Sequence, residues 1–96
     1  MTNKNFYNAL KAEKERLMNE SKQASRDCQI KHGEMSKAWN IVNALESLGK
    51  FGTQELSNAY DNYEEASYAS MLADNHFDDI DEAIGKIDEL MSLYTD

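Results

Sequence analysis

Apolar residues recur every seven positions along both halves of the chain, in the a and d pattern of a coiled coil. In the first half nine of the twelve a and d positions are apolar, and in the second half only Ser70 is plainly polar. The first set is Tyr7, Leu10, Lys14, Leu17, Ser21, Ala24, Cys28, Lys31, Met35, Ala38, Val42 and Leu45, and the second is Leu56, Ala59, Tyr63, Ala66, Ser70, Ala73, Phe77, Ile80, Ile84, Ile87, Met91 and Tyr94. A repeat sustained for this length predicts two long helices that pack along one seam.

The two halves meet at a cluster of helix-breaking residues that runs from Gly49 to Thr53. Gly49 or Gly52 can adopt the left-handed conformation that ends a helix, and the Thr53 hydroxyl can cap the helix that follows. We therefore predict an all-α fold, a long antiparallel helical hairpin. Its segments, in a single domain over 1–96, are helix one at about 4–48, a turn at about 49–53 and helix two at about 54–94.

Two sites offer an alternative, because His32-Gly33 and Asp74-Asn75 could interrupt the helices. Breaks near 32–33 and 74–75 would give four shorter helices that fold on one another within the chain. The uninterrupted hairpin and this shorter-helix arrangement both remain open from the sequence.

Folding the chain at Lys50-Phe51 sets residue i opposite about residue 101 − i. This register places large side chains opposite small ones, which close packing of two helices requires. The expected pairs are Ala24 with Phe77, Met35 with Ala66, Ala38 with Tyr63, Val42 with Ala59, and Leu45 with Leu56.

Several large apolar residues fall outside the seam, mostly beside its weakest stretch around Cys28 and Ser70. Burying one such side chain is worth about 1.5–3 kcal/mol, so a solvated cluster would be costly and prone to association. We interpret these residues as a second contact surface, used by a homodimer of hairpins that forms a four-helix bundle or by a partner protein. They are Ile30, Trp39, Tyr68, Met71 and Leu72.

The net charge of −8 is distributed unevenly. Residues 1–50 hold nine Lys/Arg and six Asp/Glu, a net charge of +3, whereas residues 51–96 hold one and twelve, a net charge of −11. Helix one cannot neutralise helix two, and the negative field disfavours direct binding of nucleic acid.

Carboxylates recur along one side of the predicted second helix, and we call this set the acidic face. A solvated face that keeps the helix soluble is the ordinary interpretation. The alternative is that the carboxylates imitate nucleic-acid phosphates and occupy the basic cleft of a nucleic-acid-binding protein. The acidic face consists of Asp74, Asp78, Asp81, Glu82, Asp88 and Glu89.

Candidates for catalysis or metal binding are few. Cys28 falls at a core position, with no histidine placed to activate it, and the register separates His32 from His76 by about seven residues, roughly 10 Å along a helix. The acidic run 74–85 lacks the central glycine and final glutamate of a calcium loop. We expect no catalytic residue, metal or cofactor.

These observations predict a non-enzymatic protein-binding module. Its function would be that of a small acidic inhibitor or modulator of a nucleic-acid-binding protein, or alternatively that of a coiled-coil scaffold, assembly chaperone or oligomerisation module. A single cysteine and the absence of an apolar leader or of 18 consecutive apolar residues favour a cytoplasmic protein without membrane contact. We expect a homodimer.

Overall fold

The computed structural model describes residues 2–94, which form an all-α helical hairpin. Helix α1 spans Thr2–Ser47 and helix α2 spans Gln54–Ser92. This confirms the predicted fold class. Within the described range neither helix is interrupted: α1 continues through Gly33 and α2 continues through Asn75. The shorter-helix alternative is therefore not the arrangement that the chain adopts.

The turn between the helices uses the residues that the sequence indicated. Gly49 and Gly52 both have left-handed backbones, with φ of 74° and 73°. The N–H of Gly49 donates to Glu46 O and the N–H of Lys50 donates to Leu45 O, each at 3.0 Å, which is the paired bonding of a Schellman motif. The motif satisfies carbonyl groups that the end of α1 would otherwise leave without partners.

Thr53 caps the start of α2. Its hydroxyl oxygen accepts a hydrogen bond from the N–H of Leu56 at 3.2 Å and its O–H donates to Lys50 O at 2.6 Å. One side chain thus satisfies a donor of the second helix and holds the loop against it.

The seam follows the heptad pattern. Every a and d position is buried or half-buried except Tyr94, which is 37% exposed. Ser70, the polar member of the second set, is buried, and no buried side-chain nitrogen or oxygen within the described residues lacks a hydrogen-bond partner. The heptads therefore identify the buried side of both helices.

The chain divides into two compact units, which we call the turn unit (26–74) and the terminal unit (1–25 with 75–96). In the turn unit, Val42, Leu56 and Ala59 form a buried cluster on which Leu45 and Tyr63 pack. In the terminal unit, the buried cluster is Leu17, Ala24 and Ile80, with Phe77 packed against it. The clusters bring together pairs expected from the 101 − i register, such as Val42 with Ala59 and Ala24 with Phe77.

Candidate protein-binding surfaces

Part of the acidic face lies on α2 in the terminal unit. Asp78, Asp81, Glu82, Asp88 and Glu89 are all exposed there. Asp88 Oδ1 lies 2.6 Å from Lys14 Nζ, and Glu82 Oε1 lies 3.3 Å from Lys86 Nζ. Exposed ion pairs of this kind contribute about 0.2–1 kcal/mol each. Their more important effect is to reduce the uncompensated negative charge at two of the five positions.

The other three carboxylates of this group keep their charge uncompensated. Among residues 2–94, no cation lies within ion-pair distance of Asp78, Asp81 or Glu89. The acidic face of the terminal unit is thus a row of exposed carboxylates interrupted by two lysine contacts.

Asp74, the remaining member of the acidic face, lies in the turn unit and contacts α1. His32 Nε2 lies 3.0 Å and 3.1 Å from its two carboxylate oxygens. The hydrogen bond with His32 lowers the pKa of the Asp74 carboxyl below its ordinary value, and a hydrogen bond with Cys28 acts in the same direction. Asp74 therefore links the two helices rather than presenting an open carboxylate.

The turn unit carries an apolar surface that we call the aromatic face, made of Met35, Trp39, Tyr63, Tyr68 and Met71. The rings of Trp39 and Tyr63 lie 5.0 Å apart, centroid to centroid, at an interplanar angle of 46°. Tyr63 lines two adjoining depressions, one with Met35 and Trp39 and one with Tyr68 and Met71. Tyr63 was predicted only as a core residue. The additional signal in the sequence was the run of aromatic and methionine residues within one or two turns of it.

A second groove of about 440 Å³ lies between the helices of the turn unit. Its lining includes three alanines, Ala38, Ala66 and Ala69, together with Glu34 and Glu65. These residues and the exposed apolar side chains next to them form what we call the alanine face. The adjacent apolar residues are Ile30, one turn before Glu34, Ile41, three residues after Ala38, and Leu72, three residues after Ala69.

The five residues predicted as one apolar surface are all exposed but do not share a side of the turn unit. Trp39, Tyr68 and Met71 belong to the aromatic face, whereas Ile30 and Leu72 extend the alanine face. Met71 and Leu72 are neighbours in the chain, but successive helical residues are turned by about 100° about the helix axis. The structure therefore divides the predicted surface between two faces.

The turn also presents apolar residues that sequence reasoning did not single out as a surface. Leu48 lies just before Gly49 and Phe51 lies between the two turn glycines, and both are largely exposed. Both were identifiable from the sequence, because neither occupies an a or d position that the seam would bury.

The remaining findings concern metal binding, membrane crossing and similarity to known proteins. Within residues 2–94, no three His, Cys, Asp or Glu side chains are grouped so that they could hold a metal ion. Neither helix contains, in its described residues, a stretch long and apolar enough to cross a bilayer. No protein-family model, curated protein or solved structure matches this chain.

Proposed function

We propose that this chain is a non-enzymatic protein-binding module and that its aromatic face receives a partner protein. The observation that carries the proposal is the exposure of Trp39, Tyr68 and Met71 on one side of a helical pair. Trp39 is 43% exposed although it packs on Tyr63, so its ring is oriented by the hairpin before any partner binds. Aromatic and methionine side chains are enriched in binding surfaces, and an oriented side chain loses less entropy on binding.

Affinity capture from a lysate of the source cells tests this face. Trp39→Ala should remove the captured protein, whereas Leu48→Ala should retain it, because Leu48 is also exposed but lies at the turn. Truncation of a central aromatic contact typically costs at least about 2 kcal/mol, roughly a thirtyfold loss of affinity. Circular dichroism should show that both variants stay helical. Equal capture by the two variants would rule out the aromatic face.

The more specific proposal is that the partner is a nucleic-acid-binding protein whose basic cleft the acidic face occupies, which would make the chain an inhibitor or modulator. Its support is the exposure of Asp78, Asp81 and Glu89 without a cation partner in the described residues. Carboxylates in a row supply a negative potential that a phosphate-binding cleft would attract. Such binding would weaken as salt screens the charges.

Charge reversal distinguishes binding that uses the acidic face from binding through the aromatic face alone. Replacing Asp78, Asp81 and Glu82 by lysine should abolish capture of a nucleic-acid-binding protein. The control replaces Glu20, Glu55 and Asp61 by lysine, which changes the net charge equally at exposed positions outside both the acidic and the aromatic faces. Unchanged capture by the first variant would exclude the acidic face. Loss in both variants would indicate a general charge effect instead of a defined site.

A second candidate function is that of a scaffold, assembly chaperone or oligomerisation module. It is favoured by the alanine face, where exposed Ile30 and Leu72 lie beside a groove floored by small side chains. Under either candidate we propose that the chain acts as a homodimer in the cytoplasm, where its single cysteine would stay reduced.

A further inference from the structure

We propose that the alanine face is the surface on which two copies of this chain pair, with α1 of each copy packed on α2 of the other. This inference rests on the homodimer of the proposed function and assigns the dimer to one face. The aromatic face of each copy then stays available to a different protein.

The shape of the alanine face is self-complementary. Ala38, Ala66 and Ala69 make a shallow floor between the helices, which allows another helix to approach closely. Ile30 and Leu72, 57% and 48% exposed, stand beside this floor. A two-fold dimer places the same patch of each copy against the other, so the large side chains of one copy can fill the groove of the second.

The levels of these residues along the hairpin agree with such a pairing. If the two-fold axis runs parallel to the helices, the symmetry operation leaves every residue at the same height along the axis. An α1 residue that is level with a given α2 residue in its own hairpin then lies against that same α2 residue of the second copy. The observed register makes Ile30 level with Leu72 to within about a turn, and Lys37 level with Glu65. Ile30 would therefore contact Leu72 of the second copy, twice in each dimer.

The charges at this face are also complementary. Lys37 and Glu65 are exposed and, among residues 2–94, neither is within ion-pair distance of an opposite charge. In the proposed dimer each Lys37 lies near Glu65 of the second copy. Glu34, the other carboxylate of the groove, already has Lys31 Nζ at 3.7 Å from its Oε2.

The aromatic face fits a second copy less well. Its α1 side offers the uncharged Ser36 and Asn40 at the rim, whereas its α2 side carries Glu64. A two-fold dimer through that face would bring Glu64 toward Ser36 of the second copy and would leave the carboxylate without a cation. The alanine face provides both the cation and the groove.

Two adjacent residues give a matched test. Met71 and Leu72 are each 48% exposed, but they belong to the aromatic and alanine faces respectively. In sedimentation velocity or light scattering of the full chain, we expect the wild type and Met71→Asp to have twice the 11.0 kDa mass of one chain and Leu72→Asp to have the mass of one chain. A wild type that is monomeric at all concentrations, a larger assembly, or a dimer lost in Met71→Asp but kept in Leu72→Asp would overturn the proposal.

A charge exchange tests the arrangement of the copies. Lys37→Glu and Glu65→Lys should each raise the dimer dissociation constant by about three- to tenfold, because each places like charges together at two symmetry-related sites. The double variant should restore the wild-type constant. Two results would contradict the pairing of α1 with α2 of the second copy. One is an unchanged dimer dissociation constant in the single variants, and the other is a double variant whose dimer is weakened by the combined effect of both single substitutions.

The outcome is separable from that of the partner-binding proposal. Capture of a partner that depends on Trp39 but persists in Leu72→Asp would support the aromatic face whether or not the dimer forms through the alanine face. Conversely, the dimer could be lost in Leu72→Asp while Trp39→Ala captures the partner as well as the wild type does. That result would support the alanine face as the dimer surface and exclude the aromatic face as the partner site.

Discussion

His32 and Asp74 illustrate how single residues connect the two helices of the turn unit. Both side chains are about half exposed, yet the imidazole Nε2 lies within hydrogen-bond distance of both carboxylate oxygens. Because the folded state lowers the pKa of Asp74, the unfolded chain binds its proton more readily at acidic pH. The stabilisation is present above the ordinary pKa of an aspartate and is lost as the pH falls through the lowered pKa of the folded state.

We predict that His32→Gln raises the pKa of Asp74 toward its ordinary value, since the hydrogen bond with His32 is the largest cause of the lowering. The measurement is an NMR pH titration of the Asp74 carboxyl carbon in the wild type and the variant. The control is His76→Gln, the same substitution two residues from Asp74 on the same helix, where side chains do not face each other. A midpoint that stays in place in His32→Gln, or that moves equally in both variants, would contradict the assigned contact.

At the scale of the helices, two glycines have opposite roles. Gly33 lies inside α1 with ordinary helical backbone, whereas Gly49 ends α1 with φ of 74°. A Cβ added at either position would come within 4 Å of no heavy atom apart from those of the neighbouring residues and the adjacent helix backbone. Substitution at these two sites therefore reports backbone conformation and not steric conflict.

We predict that Gly33→Ala stabilises the hairpin by about 0.5–1 kcal/mol, because alanine loses less entropy than glycine on entering a helix. Gly49→Ala should destabilise it by about 1–2 kcal/mol, the typical cost of a left-handed conformation for an alanine. Urea unfolding followed by circular dichroism measures both changes. Shifts of the same sign at the two glycines would show that backbone conformation is not the deciding factor.

The heptads predicted the helices well because burial along a seam imposes a seven-residue period on sequence and structure alike. Thr53 and the two turn glycines were also identifiable, since capping and left-handed backbone restrict residue choice strongly. The prediction grouped Ile30 with Trp39 and Leu72 with Met71 because all four lie outside the seam. The turn of about 100° per residue already sets Met71 and Leu72 on different sides of α2, so the sequence contained the information that divides them, but membership of the seam alone did not use it.

The exposure of five of the six acidic-face carboxylates, all but Asp74, was predictable, but the contacts of the face were not. Lys14 occupies a core-type position, and its amine nevertheless reaches Asp88 at 2.6 Å. A long lysine stem can lie along an apolar seam while its charged end leaves it, which a pattern of polar and apolar letters does not record. The contact between His32 and Asp74 likewise joins residues outside the predicted seam.

At the scale of the whole molecule, the balance of buried and exposed apolar residues favours association. Among the described residues seven apolar side chains are buried and three of these are alanines, Ala24, Ala38 and Ala59, whereas large side chains such as Ile30 and Leu72 stay in water. A chain of this size has little core to offset its conformational entropy, so a second copy would add stability as well as cover the alanine face. The net charge of −8 opposes this pairing, since two copies repel each other at low ionic strength.

We predict that the melting temperature rises with protein concentration, because a dimer gains stability by mass action. For a dimer of chains this long, a tenfold increase in concentration should raise the melting temperature by roughly 3 °C, given about 2.1 cal/mol/K of unfolding entropy per residue. Thermal unfolding at constant ionic strength, followed by circular dichroism, measures this slope. Leu72→Asp should melt at the same temperature at every concentration, and Met71→Asp should keep the wild-type slope. A wild-type melting temperature independent of concentration would mean that the hairpin is stable as a single chain, and its exposed apolar faces would then be available only to other proteins.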